Sequence, residues 1–307
     1  MNDPAGLRGT AVLTTPRDFN FWATVTSHGW YDLPPFSCDP ESRTLTLVLR
    51  APDGTPVACR MREAGGPVVV RFRAGRPLGA SGRGEIRRQI RSCLRMDEDL
   101  SGFHAAARRE PRFRWIARRR AGRLLRAPTV FEDVVKMICT TNCTWALTRQ
   151  MVTGIVEEFG SRLDASAVAF PAPEAIAGSS ERVLRSHCST GYRAPFILRL
   201  AEEVASGRRD LEALRHTQVL SRELFDTLKE ISGVGPYAAG NLLKLLGRYD
   251  YLGLDSWVRA RYATLHHGGR RVKDATIERA FAPWGAWRGL FFWLEMTRHW
   301  HDEKFTP

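Results

Sequence analysis

The chain has 307 residues, 43% hydrophobic and 10% aromatic, which excludes a disordered chain and a small disulfide scaffold. Its 46 Lys and Arg against 33 Asp and Glu give a net charge of +13, a balance that points to a polyanionic partner and says nothing of fold. At about 150 residues per domain the length suggests two domains.

Residues 1–80 read as a β-rich domain. After an aromatic stretch (Phe19, Phe21, Trp22, Trp30, Tyr31, Phe36) the run 43–50 favours a strand. Residues 51–55, with Pro52 and Asp53-Gly54, form a turn. The return strand is 56–60, and 67–73 is another. The Gly/Pro/Arg-rich connector 75–84 marks the domain boundary. Residues 81–307 then read as helical, so the fold class is α+β, an antiparallel sheet followed by an all-α domain. Helices are predicted over 85–96, 99–109 and 129–142, the last capped by Thr129 with Glu132 in a capping box. Residues 145–159 continue helically to a stop at Gly160, and 173–176, 182–184, 193–205 and 211–214 are shorter pieces. Arg112, Arg114, Arg118, Arg119, Arg120 and Arg123, interleaved with Phe113 and Trp115, form a basic cluster that suits either a DNA path or a solvated helix face.

No apolar run reaches the roughly 18 residues of a membrane span, and Met1-Asn2-Asp3-Pro4 does not open a signal peptide. Of the six Cys, only Cys139 and Cys143 are close, at no zinc or iron–sulfur spacing. We expect free thiols, no metal, no membrane and a cytoplasmic location.

The sharpest local feature lies in the segment 222–247. An apolar helical period (Leu224, Leu228, Ile231) runs into Gly233-Val234-Gly235, and Pro236 opens a second helix. The two glycines allow a tight helix-to-helix turn that Val234 can plug. Backbone N–H groups at the second helix start can then hold a phosphate without reading sequence. Taken alone, the turn is equally an ordinary αα-hairpin. Eighteen residues after Tyr237, Asp255 stands in Gly253-Leu254-Asp255-Ser256-Trp257-Val258-Arg259, where a helix should begin. An Asp there caps a helix, and it can equally present a carboxylate to a substrate.

Together these two motifs resemble the helix-hairpin-helix (HhH-GPD) DNA glycosylase superfamily, on the branch of the 8-oxoguanine glycosylases and the AlkA-type 3-methyladenine glycosylases. Residues 131–142, with Asn142 at the position of a DNA-wedging Asn, and Gly191-Tyr192-Arg193-Ala194 extend the resemblance. It implies base flipping from damaged double-stranded DNA, catalysis by Asp255, and DNA contacts from Gly233, Val234, Gly235, Asn142 and Arg193. Tyr237, Trp257, Trp30 and Phe292 are the candidates for the base pocket. The resemblance also implies a monovalent cation at the hairpin and otherwise no cofactor, and we expect a monomer. Bifunctional relatives carry a Lys where this chain has Tyr237, which cannot form an imine. The four-Cys cluster is absent too, since no Cys follows Cys188. The implied activity is a monofunctional glycosylase, with alkylated purines ahead of oxidised or deaminated bases. The alternatives are a non-catalytic DNA-binding module and a lyase using an unexpected amine such as Lys244.

Overall fold

A computed structural model describes residues 7–301; the start of the chain read above for a signal peptide lies outside them. Five antiparallel strands, β1 (Leu7–Leu13), β2 (Phe36–Asp39), β3 (Thr44–Arg50), β4 (Pro56–Glu63) and β5 (Val68–Ala74), form a sheet of order β1-β5-β4-β3-β2. The short helix α1 (Phe21–Val25) lies between β1 and β2. Alternation puts Leu45, Leu47, Leu49, Val57, Cys59, Met61, Val68 and Val70 into the core. The predicted strands are found with slightly longer bounds. The sequence reading missed β1, where the ring of Phe72 lies where a Cβ on Gly9 would be, and the four-residue β2.

After the connector come α2 (Ala80–Cys93), α3 (Ser101–Arg109), α4 (Arg114–Arg119), α5 (Val130–Cys139) and α6 (Trp145–Phe159). A ribbon, β6 (Ser161–Asp164) and β7 (Ala167–Ala169), follows, then α7 (Pro173–Ala177), α8 (Glu181–Ser186) and α9 (Ala194–Ala205). The chain continues with α10 (Ser221–Lys229), α11 (Pro236–Leu245), α12 (Ser256–His267), α13 (Asp274–Phe281) and α14 (Arg288–Met296). The ribbon was not read from the sequence. Ala167 and Ala169 cover Val48 on the outward face of β3, and Gly160 is required because a Cβ there would lie 2.4 Å from the Ala169 carbonyl.

The core does not divide at the connector. One cluster joins the sheet to Ile86 and Ile90 of α2 and to residues of α5 through α11. A second gathers residues 100–124 with 249–296. Two local expectations change. Helix α5 ends at Cys139, not at Asn142, which adopts φ +48° in the turn to α6. Thr129 does cap α5, accepting from the Glu132 N–H at 3.2 Å, but the Glu132 carboxylate turns inward to a buried pair with Lys136 at 2.6 Å. That leaves half of the expected capping box.

Candidate active site

The hairpin joins α10 to α11. Gly233 has φ +87°, and a Cβ there would lie 2.8 Å from the Phe196 ring, so conformation and packing both demand glycine. Gly235 differs: its φ of −86° suits any residue, and a Cβ would meet nothing within 4 Å. Its bare backbone faces open space. The first helical bond of α11 runs from Ala239 N–H to the Gly235 carbonyl, so the N–H groups of Tyr237 and Ala238 have no helical acceptor. Val234 is a correction. Its side chain is buried and its N–H donates to the Ile231 carbonyl at 2.9 Å, so it plugs the core and has no donor for DNA.

These facts separate two substitutions. Gly235→Arg should keep the fold, with stability changed by less than about 0.5 kcal/mol, and, as a phosphate-holding turn predicts, should weaken binding to every duplex alike. Gly233→Ala costs about 1–3 kcal/mol through backbone strain. Thermal unfolding and duplex titration measure both; a Gly235→Arg protein that lost only its preference for damaged DNA would contradict the role.

Arg199 Nη1 donates to Ser232 Oγ at 3.3 Å, placing an exposed guanidinium beside the turn. Sequence reasoning missed Arg199 because it lies 33 residues before Ser232.

Asp255 caps α12, its Oδ1 accepting from Val258 N–H at 2.7 Å. Gly253, at φ +67°, lets the preceding loop pass close to α11: a Cβ there would lie 2.7 Å from Lys244 Nζ. The Tyr237 phenol faces the Asp255 carboxylate and the Thr140 hydroxyl, and burial with that carboxylate pushes its pKa up to about 12. Asp255 and Tyr237 line one cavity of about 570 Å³. Its walls are aromatic: Trp30, Tyr31, Trp145, Trp257, Trp293 and Trp300.

Three of these indoles have their N–H groups committed outward. Trp30 donates to Asp133 at 2.8 Å, Trp145 to Asp32 at 2.8 Å and Trp293 to the Ser27 carbonyl at 2.9 Å. They offer the cavity ring surface and no donor. Trp145 lies flat on Gly29, where a Cβ would sit 2.4 Å from its ring. Trp257 stacks on Trp300 with centroids 5.8 Å apart. Of the predicted pocket residues, Tyr237, Trp257 and Trp30 line the cavity; Phe292 does not. It is fully buried in the second core against Phe281, and its neighbour Trp293 takes the place.

Two titratable groups sit in the wall. His28 is buried and bonded to the Leu125 carbonyl, and burial lowers its pKa to about 4, so the ring is neutral. Lys244 donates to the Leu252 carbonyl at 2.7 Å and the Gly240 carbonyl at 3.4 Å. Burial lowers its pKa to about 7, with the Asp255 carboxylate opposing. An unfolded Lys titrates near 10.4, so between about 7 and 10 the unfolded chain binds more protons and stability rises with pH. Lys244→Met should flatten that rise in thermal unfolding from pH 7 to 9.5; an unchanged slope would contradict the burial of this amine.

Arg193 is the third correction. It is 4% exposed, bonded to the Thr141 carbonyl and stacked on Tyr192 at 4.4 Å. It braces the turn carrying Asn142 from behind, while Asn142 itself is exposed. In the basic cluster, Arg123 is buried against Asp18 and Arg112 lies over Phe113 and Trp284 beside Glu295. Among the described residues no group of three or more His, Cys, Asp or Glu side chains is placed to hold a metal, and no helix is long and apolar enough to cross a membrane.

This architecture, a β-sheet region packed on helices that present a hairpin and a capped Asp, is the fold of the helix-hairpin-helix DNA glycosylases. The 3-methyladenine DNA glycosylase of Archaeoglobus fulgidus superposes with a TM-score of 0.73 at 20% identity, over 96% of this chain and 99% of that one. The 8-oxoguanine glycosylase/lyase of Clostridium acetobutylicum, in its apo form, gives 0.69 at 17% identity, over 94% and 95%. In sequence the chain is 25% identical to a DNA-3-methyladenine glycosylase of Bacillus subtilis over 232 residues, 72% of this chain and 75% of that one. No family model matches the chain.

Proposed function

We propose that the protein is a monofunctional DNA glycosylase of base-excision repair. It flips an alkylated purine such as 3-methyladenine out of damaged double-stranded DNA and hydrolyses its N-glycosidic bond. The observation that carries the substrate class is the cavity walled by indoles, three of which have their N–H groups bonded elsewhere. An alkylated purine is cationic, and a cation is attracted to the face of a Trp ring and needs no donor from it. The curated relative and one structural neighbour named for 3-methyladenine support the same reading. An oxidised purine is the second reading. It rests on neutral His28, whose Nδ1 is left as an acceptor, and on Asn241, whose Nδ2 is spent on the Tyr237 carbonyl, leaving its Oδ1 to read a base.

In this reading the hairpin grips one phosphate through backbone N–H groups at Gly235 and the α11 start, with Arg199 beside it. Asn142, exposed at a turn held by Arg193, fills the gap left in the duplex. Bond cleavage builds positive charge on the deoxyribose, and the Asp255 carboxylate stabilises it and orients the attacking water. Leaving Oδ1 on the α12 cap fixes the carboxylate before substrate arrives.

Tyr237 supports an enzyme without lyase activity, since a phenol forms no imine. Product strands should therefore carry intact abasic sites that break only with alkali, and borohydride should trap no adduct. Lys244 is the amine to watch, being partly neutral near pH 7. A trapped complex that disappears in Lys244→Met would overturn the monofunctional reading. Duplexes each holding one lesion, scored by hot-alkali cleavage, test the substrate. Cleavage at alkylated purines is the expected result, and cleavage confined to 8-oxoguanine would transfer the assignment to the second reading.

A further inference from the structure

The outward face of the sheet sets arginines directly against one another. Arg8 opposes Arg73 across β1 and β5, and Arg71 opposes Arg60 across β5 and β4. Arg62 extends the row two residues along from Arg60. Like charges at directly opposed positions of an antiparallel pair destabilise it, so stability does not explain the arrangement. Arg8, Arg60, Arg62 and Arg71 are exposed. Among the described residues Asp164 pairs with Arg73 and Asp39 lies close to Arg60, and Arg8 has an interaction of its own. Arg8, Arg60, Arg71 and Arg73, with Thr10 and Thr46, surround a shallow concavity of about 610 Å³. None of its residues lines the aromatic cavity, and the opposite face of the sheet is the core.

We propose that this face is a second DNA-backbone site, holding a stretch of duplex other than the one whose base enters the aromatic cavity. Guanidinium groups repeat about every 6.8 Å along a strand and about 4.8 Å between strands, a flat lattice of bidentate donors suited to phosphates. Threonine hydroxyls are further phosphate partners. The centre of a protein-binding patch is depleted of charge; here four arginines line the concavity, with Phe72 the single aromatic among them. The inference rests on DNA as the partner and not on catalysis.

The test is the double variant Arg60→Glu/Arg71→Glu. Its melting temperature should stay close to that of wild type, because the directly opposed pair remains like-charged with its sign reversed. Wild type bound to an immobilised undamaged duplex should capture a second, labelled duplex, and the variant should not. For undamaged duplex long enough to reach both sites, the log–log salt dependence of affinity should lose about two units of slope, roughly 0.9 for each phosphate released. Single-turnover excision from saturating short lesion duplex should stay within twofold of wild type. Capture of the second duplex by the variant as well as by wild type overturns the proposal. So does loss of polyglutamate binding in the variant with DNA capture intact, which would give the face to an acidic protein. If wild type binds no duplex at all, the proposed function fails along with this site.

Discussion

Asp255→Asn should retain DNA binding and lose base excision by a factor of about 10² or more. The magnitude is that of deleting one preorganised electrostatic group from a developing charge. The substitution is well controlled by the structure. The capping of Val258 N–H by Asp255 survives in Asn, which is as good an N-cap. The fold and the α12 start should stay intact while the carboxylate charge is gone. Asp255→Ala would remove cap and charge together and confuse them. Single-turnover release of base, with duplex affinity measured alongside, reads the effect. A folded Asp255→Asn protein within threefold of wild type would move catalysis to another residue, and Lys244 would be the next to examine.

Arg95→Met should cost about 3–5 kcal/mol of stability, the usual loss when one member of a buried charged network is removed. Arg95 is 3% exposed and ties three segments together. Its Nε donates to the Leu124 carbonyl at 2.9 Å, and Nη1 reaches the Tyr249 hydroxyl at 3.0 Å and the Glu98 carboxylate at 3.1 Å. Its Nη2 caps the end of α11, donating to the carbonyls of Lys244 and Leu245. The positive group therefore sits at the negative end of the helix whose start forms the hairpin. Removing it strands those carbonyls in the interior and leaves the half-buried Glu98 carboxylate with the Tyr249 hydroxyl alone. Arg95→Lys should recover part of the loss, keeping charge but not the fork. Denaturant unfolding is the measurement, and a loss below 1 kcal/mol would mean the network is dispensable.

The legible part of the site was the part written locally. Gly233-Val234-Gly235-Pro236 and Asp255 carry their meaning in glycine, proline and capping chemistry within a few residues, and the structure puts hairpin and cap where those patterns said. The cavity was not legible in that way. Its walls come from residues near 30, 145, 237, 257, 293 and 300, and the bonds orienting them span more than 100 positions, Trp145 to Asp32 and Trp293 to Ser27. The run Leu290 to Leu294 is apolar on every face, so periodicity does not separate Phe292 in the core from Trp293 at the cavity. Arg193 stands as a DNA ligand only through the resemblance of Gly191-Tyr192-Arg193-Ala194; the fold reveals that Thr141, Met151 and Tyr192 enclose it. The ribbon at 161–169 escaped notice because four- and three-residue strands offer too few alternations to read.

The most direct measurement is to incubate the protein with duplex DNA treated by a methylating agent, then identify what leaves the DNA. The account predicts free methylated purine in solution, released by wild type and not by Asp255→Asn, with strands that remain whole until alkali is added. Tight binding with no free base released, or strands already broken at neutral pH, would contradict it.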